Sequence, residues 1–113
     1  TTSMSNYLIG DVVLVRYPFT DFSSSKIRPA VVISAPHVSK DVFVLPLTSK
    51  TILLQSGEFA LADWSAAGLN VVSAVKRGIY TVHQDFVAKR VGKLSNADLE
   101  RLRNSLLQWL DLA

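Results

Sequence analysis

Hydrophobic positions come in short bursts along most of this chain and take helical spacing only at its end. The run DVVLVRY, residues 11–17, is largely apolar on both alternating faces and is bounded by Gly10 and Pro18. That is the pattern of a strand buried on both sides or closed into a barrel. Residues 18–27, PFTDFSSSKI, show no periodicity and carry three consecutive serines, which predicts a mobile loop, long for a small β domain. Two further apolar runs, 29–34 and 41–47, flank a polar turn over 35–40. Pro29 and Pro46 have no N–H to donate to a ladder, so each predicts a strand terminus or an edge. Weaker β signals follow at 57–61, 71–75, 79–82 and 85–91, with 62–70 as a turn or single helical turn stopped by Gly68.

The last element is different in kind. Leu99, Leu102, Leu106, Trp109 and Leu110 recur at helical spacing, with Arg101, Arg103, Asn104 and Gln108 mostly on the opposite face. Ser95 and Asp98 resemble a capping box, and Leu94 and Leu99 are placed for a hydrophobic staple. A helix is therefore predicted over 95–112, one face packed on the sheet. Five to seven short strands and a closing helix describe a mainly β domain, a strongly curled, mostly antiparallel sheet or barrel. No repeat, linker or low-complexity stretch interrupts it, so residues 1–113 read as one domain. Met4 is read as the natural start, with Thr1 to Ser3 foreign to the natural chain, and residues 1–7 are expected to be disordered or additions of that kind.

Composition narrows the function. At 49% hydrophobic and 19% charged residues, the chain is not a disordered one. The absence of cysteine excludes disulfides, thiolate zinc sites and thiol catalysis, and fits a reducing compartment. His37 and His83 are too few for an ordinary histidine metal site, so neither metal nor cofactor is expected. No apolar run approaches the roughly 18 residues of a membrane span, and no secretory leader pattern is present. A cytoplasmic protein without membrane association is the expectation. The net charge is +3, and the excess sits on the sheet body: residues 1–94 carry ten basic and six acidic side chains, residues 95–113 two and three. A polyanionic partner is compatible with this bias.

No phosphate-binding glycine loop, HExxH or GxSxG is present. The candidate chemistry lies at the ends of the second and third strands, at Arg28 and Thr48. If facing residue numbers total 76, these two share a face, about 5 Å apart at Cβ. A total of 75 would send Thr48 to the other face. The pattern leaves both registers open. A guanidinium can hold two phosphoryl oxygens at once, and a neighbouring hydroxyl adds a donor. Such a pair suits RNA cleaved by its own 2′-hydroxyl, where charge builds on those oxygens. The plainer alternatives are a solvated arginine before a strand and a strand-end threonine.

Three blocks in this order and spacing, GDVVLVRYPFT (10–20), RPAVVIS (28–34) and VLPLTS (44–49), resemble the MazF/PemK (PemK/Kid) family of toxin ribonucleases. Asp63-Trp64, AGL (67–69), SAVK (73–76) and GKLS (92–95) are similar to its PemK-like branch, and the likeness spans about residues 8–112. The resemblance implies an SH3-like barrel with a C-terminal helix and a homodimer. It implies metal-independent cleavage of single-stranded RNA to 2′,3′-cyclic phosphate and 5′-hydroxyl ends, which arrests growth. It also implies a cognate antitoxin whose acidic, disordered tail occupies the RNA groove, with DNA binding by the toxin–antitoxin complex. Arg28 would stabilise the phosphate and share in proton transfer, and Thr48 would assist at the transition state. The loop 19–27 would gate the groove, with Phe19, Lys26 and Ser49 at the RNA.

The chain departs from the pattern at one place. Lys76-Arg77-Gly78 stands where many members carry an acidic–glutamine pair. Base recognition therefore does not carry over, and the general base is unassigned. Lys76 and Arg77 become candidates for phosphate contacts, against the plainer reading of a charged interruption on an edge strand. His83 is the candidate acid or base, its reference pKa being about 6.5, against an ordinary strand-end histidine. Trp64 is a candidate for stacking on a base, whereas Trp109 fits the core stripe of the helix. Two other functions fit the same barrel: a non-enzymatic poison of gyrase like CcdB, and a module that binds peptide or RNA without cutting it.

Overall fold

The computed structural model describes residues 5–17 and 26–112. Phe19 and most of the expected gating loop, residues 19–27, lie outside the described residues. The elements run β1 (Asp11–Tyr17), β2 (Lys26–Val32), β3 (Asp41–Thr48), β4 (Phe59–Ala60), β5 (Ala74–Val75), β6 (Tyr80–His83), a 3-10 turn (Gln84–Phe86), β7 (Val87–Lys93) and α1 (Asn96–Trp109). β1 has the expected bounds. β2 begins earlier than its apolar run, because Lys26, Ile27 and Arg28 pair with Tyr17, Arg16 and Val15 of β1. Cross-strand pairing recruits these exposed residues into a strand that the lack of apolar periodicity before Pro29 hides.

The strand order is β4-β5-β3-β2-β1-β7, with β6 pairing the first half of β3, and every recorded pair is antiparallel. This is the expected curled β architecture with a C-terminal helix. Its hydrogen-bonded ladder is not closed into a ring: β4 and β7 end it. Two register shifts between β1 and β7, at Val12/Val13 and Leu14/Val15, supply local bending.

Strand alternation splits the core in two. Val12, Val31, Leu45 and Leu47 point to the face covered by Leu94 and by Leu102 of α1. Val13, Val15, Ala30, Val32, Val42 and Val44 point to the other, with Val82 and Val87. The strands β1 to β3 are thus buried on both faces, which is why their sequences are continuous apolar runs. The N-terminal expectation fails in part. Ser5 is buried and donates its N–H to the His37 carbonyl (3.1 Å), and Tyr7 packs on the second cluster, so residues 5–7 belong to the fold.

Helix α1 starts as expected, with the Ser95 hydroxyl accepting from the Asp98 N–H at 3.2 Å. The Asp98 side chain plays another part. Its carboxylate is fully buried and accepts from the Ala62 and Asp63 N–H groups at 3.0 and 2.9 Å, with Arg101 at 3.2 Å. It fastens the 62–68 turn to the helix. At the far end Trp109 donates to the Ser56 carbonyl and Ser105 to that of Gly57, at 2.9 and 2.7 Å. The helix stops one residue short of the expected stripe, leaving Leu110 exposed as its C-cap. Among the described residues no helix is long and apolar enough to cross a membrane.

Candidate functional site

In the β2–β3 ladder Ala30 faces Pro46, Val31 faces Leu45 and Val32 faces Val44, so facing numbers total 76. This is the register under which Arg28 and Thr48 lie on one face. The ladder stops before reaching them, for a chemical reason. Ile33 donates to the Phe43 carbonyl at 2.8 Å, so the bonded pairs alternate from there to 31/45 and then 29/47. Pro29 has no N–H with which to bond Leu47. Leu47 and Thr48 pair instead through their other edge, with Val75 and Ala74 of β5. The ends of β2 and β3 part, and a cleft of about 440 Å³ opens beside them.

Arg28, Thr48, Ser49 and Lys50 form the polar rim of this cleft. Leu14, Pro29, Leu47 and Val91 supply apolar lining, and residues 68–71 with Ser73 form the far wall. The Thr48 Oγ1 accepts from the Lys50 N–H at 3.1 Å. With that lone pair occupied, the hydroxyl proton is free to be donated to a ligand. Arg28 is exposed, and its guanidinium has no ion pair or hydrogen bond among the described residues. The rim therefore presents two cations, a hydroxyl donor and a serine, an arrangement suited to a phosphate.

The wall is held firmly. Gly68 has φ of +90°, a conformation that side chains rarely adopt, and a Cβ there would strike the Val91 carbonyl. A Cβ on Gly92 would strike the Ala67 carbonyl. Backbone rests on backbone here, and Asp98 pins the start of the same turn.

The other anticipated residues are dispersed. Lys26 is exposed at the start of β2, two positions before Arg28 on the same face, and does not line the cleft. Lys76 places its Nζ 3.3 Å from Oε1 of Glu58, whose side chain is only 3% exposed. Burial pushes the Glu58 carboxyl up, but hydrogen bonds from the Gln55 and Arg77 N–H groups and the Lys76 ammonium overcome this and hold it below the ordinary range. Lys76 is thus committed to a buried partner. The Arg77 side chain lines a separate shallow pocket with Gln55, Ser56, Gln108 and Trp109. Neither residue lines the cleft.

His83 faces Asp41 at the opposite end of β3 from Thr48, roughly 23 Å away at strand rise. Its Nδ1 accepts from the Asp85 N–H at 3.1 Å and caps the 3-10 turn. The fold of this chain does not bring it to the cleft. Trp64 and Trp109 both pack on the first core cluster. Among the described residues no group of three His, Asp or Glu side chains is placed to hold a metal. The sequence reading missed Lys50, Asn70 and Ser73. Lys50 had a signal, two positions past Thr48 at a strand end; Asn70 and Ser73 had none, because only the docking of the wall on β7 brings them here.

Residues 9–110 match the family model described as PemK-like, MazF-like toxin of type II toxin-antitoxin system. Among solved structures, the Mycobacterium tuberculosis toxin MazF-mt6 is similar with a TM-score of 0.72 at 20% identity, over 91% of this chain and 98% of that one. An endoribonuclease from a mycobacterial species, solved in complex with its cognate antitoxin, gives 0.73 at 18% identity, over 95% and 97%. MazF from Deinococcus radiodurans gives 0.69 at 20%, over 94% and 99%. At such identities these likenesses speak for the fold. No curated protein matches the sequence. With the family model covering nearly the whole length, the chain belongs to the PemK-like, MazF-like toxins of type II toxin–antitoxin systems.

Proposed function

We propose that this toxin is an endoribonuclease that cuts single-stranded RNA without a metal ion, with Arg28 and Thr48 at the scissile phosphate. The observation that carries this reading is the meeting of both residues on one rim of the cleft, with Arg28 unpaired among the described residues. The naming of similar structures as endoribonucleases supports it. In the reaction the 2′-oxygen bonds to phosphorus and the bond from phosphorus to the 5′-oxygen breaks. The 2′-hydroxyl loses its proton, the 5′-oxygen gains one, and a 2′,3′-cyclic phosphate remains. Arg28 holds the non-bridging oxygens as charge builds on them, and Thr48 donates its hydroxyl proton to the same group.

Lys50 takes the backbone-holding role that the sequence suggested for Lys76 or Arg77. The toxin acts in the cytoplasm as a homodimer. Its cognate antitoxin lays an acidic segment across the cationic rim; one similar endoribonuclease is solved with its own antitoxin.

The test is cleavage of a mixed single-stranded RNA by purified protein, read by sequencing the new 5′ ends. Arg28→Ala is expected to keep its folded circular dichroism spectrum and to lose about 100-fold or more in rate, the typical cost of removing a pre-aimed donor. Thr48→Ala is expected to lose about tenfold or more. Arg28→Ala cutting at the wild-type rate would end this assignment.

A further inference from the structure

The polar rim of Arg28, Thr48, Ser49 and Lys50 is only part of the cleft lining. The rest of the lining is a different chemical surface, and it holds one polar group free to read a ligand. Leu14, Pro29, Leu47 and Val91 give the cleft an apolar lining, and Leu69 and Val71 of the far wall continue it. Between these last two residues stands Asn70, exposed and lining the same cleft. Its amide has no hydrogen-bond partner among the described residues. Ser73, the other polar group of the wall, is already committed, its hydroxyl donating to the Val71 carbonyl at 3.0 Å.

We propose that this apolar lining takes the unpaired nucleobase next to the scissile phosphate, and that Asn70 determines which base is accepted. The inference rests on the reading of the rim as an RNA phosphate site. An aliphatic lining accepts the flat face of a base and offers nothing to a charged group. A side-chain amide carries a donor and an acceptor side by side. That matches a base edge bearing an acceptor beside a donor, as in the pairing of asparagine with adenine. Selectivity also needs a reader that does not drift. Asn70 has that support: Asp98 and the Gly68–Val91 contact fix the turn before it, and the Ser73 carbonyl accepts from the Leu61 N–H at 2.8 Å after it. This places base reading on the 68–73 wall. It does not use Lys76-Arg77-Gly78, whose buried tie to Glu58 lies outside the cleft.

The experiment has two arms. In the first, wild type, Asn70→Ala and Asn70→Asp cut a randomised single-stranded RNA pool, and sequencing of the 5′ ends gives base preference at each position around the cut. Asn70→Ala is expected to flatten preference at one nucleotide flanking the cut by about tenfold or more, leaving preferences elsewhere in place. Asn70→Asp, which offers acceptors only, is expected to shift preference at that nucleotide towards a base edge with an amino group. Unchanged preferences in both variants overturn the proposal. In the second arm, oligonucleotides with 2′-deoxyribose at the cut site carry each of the four bases there, and their affinities are measured. Discrimination by wild type that Asn70→Ala loses supports the proposal even where nothing is cut. Absence of discrimination by wild type overturns it. A wild type that binds selectively but cuts no RNA counts against the ribonuclease reading alone.

Discussion

Two buried carboxylates do much of the organising that the short strands cannot. Asp98 accepts the N–H groups of Ala62 and Asp63, and Glu58 accepts those of Gln55 and Arg77, so each satisfies backbone donors in segments with little regular structure. The distant part of each role cannot be read from local pattern. Asp98 looks like the second half of a capping box because its true partners lie 35 and 36 positions away. Glu58 allows a test with a definite sign. Its folded pKa lies below the ordinary value, so the stability it contributes is present above the unfolded pKa of about 4.3 and is lost as pH falls through the folded one. Glu58→Gln is expected to cost roughly 1 kcal/mol near neutrality. The gap between wild-type and variant urea midpoints should close as pH drops below about 4. A gap that stays constant down to acid unfolding would remove Glu58 from this role.

At the scale of elements, prolines decide where the sheet stops. Pro29 ends the β2–β3 ladder, and Pro46, with its carbonyl taken by the Lys76 N–H at 3.0 Å, sits where β5 gives way to β6 along the edge of β3. The expectation of an edge at each proline was sound, although both lie inside strands: each is at a local edge, where a neighbour leaves. Pro29→Ala restores an N–H aimed at the Leu47 carbonyl. The alanine amide is expected to be protected from hydrogen exchange, with the ladder longer by one bond, the cleft narrower and RNA affinity lower. Exchange at the rate of a free amide would show that the proline does not set the opening. Element existence was legible for β1, β3 and α1, whose apolar periodicity is strong. The two-residue strands β4 and β5 were blurred into longer runs, because strands that short exist only through partners distant in sequence. The Arg28–Thr48 register was legible as one of two choices. The alternation of buried faces in β2 and β3 made the choice: under the other register Val31 and Val44, which belong to different core clusters, would point to the same side.

For the whole molecule, the net charge of +3 says little by itself, and its distribution separates working cations from structural ones. Lys76, Arg90 and Arg101 each pair with a buried carboxylate, those of Glu58, Asp11 and Asp98. Their charge is largely answered within the fold. Arg28 and Lys50 have no such partner among the described residues and share the cleft rim. At the cleft itself a polyanion therefore meets two open cations, Arg28 and Lys50, out of the twelve basic residues of the sequence. Single-stranded nucleic acid releases about 0.7 counterion for each phosphate neutralised, so the logarithm of affinity falls with the logarithm of salt by that slope per contact. Lys50→Gln is expected to lower the slope for a non-cleavable single-stranded oligonucleotide by about 0.7. Lys76→Gln is expected to leave the slope unchanged and to lower the unfolding midpoint, because it removes the partner of a buried carboxylate. If Lys76→Gln flattens the salt dependence as much as Lys50→Gln, the RNA path crosses the 76–77 segment after all, and the division between structural and working charge is misplaced.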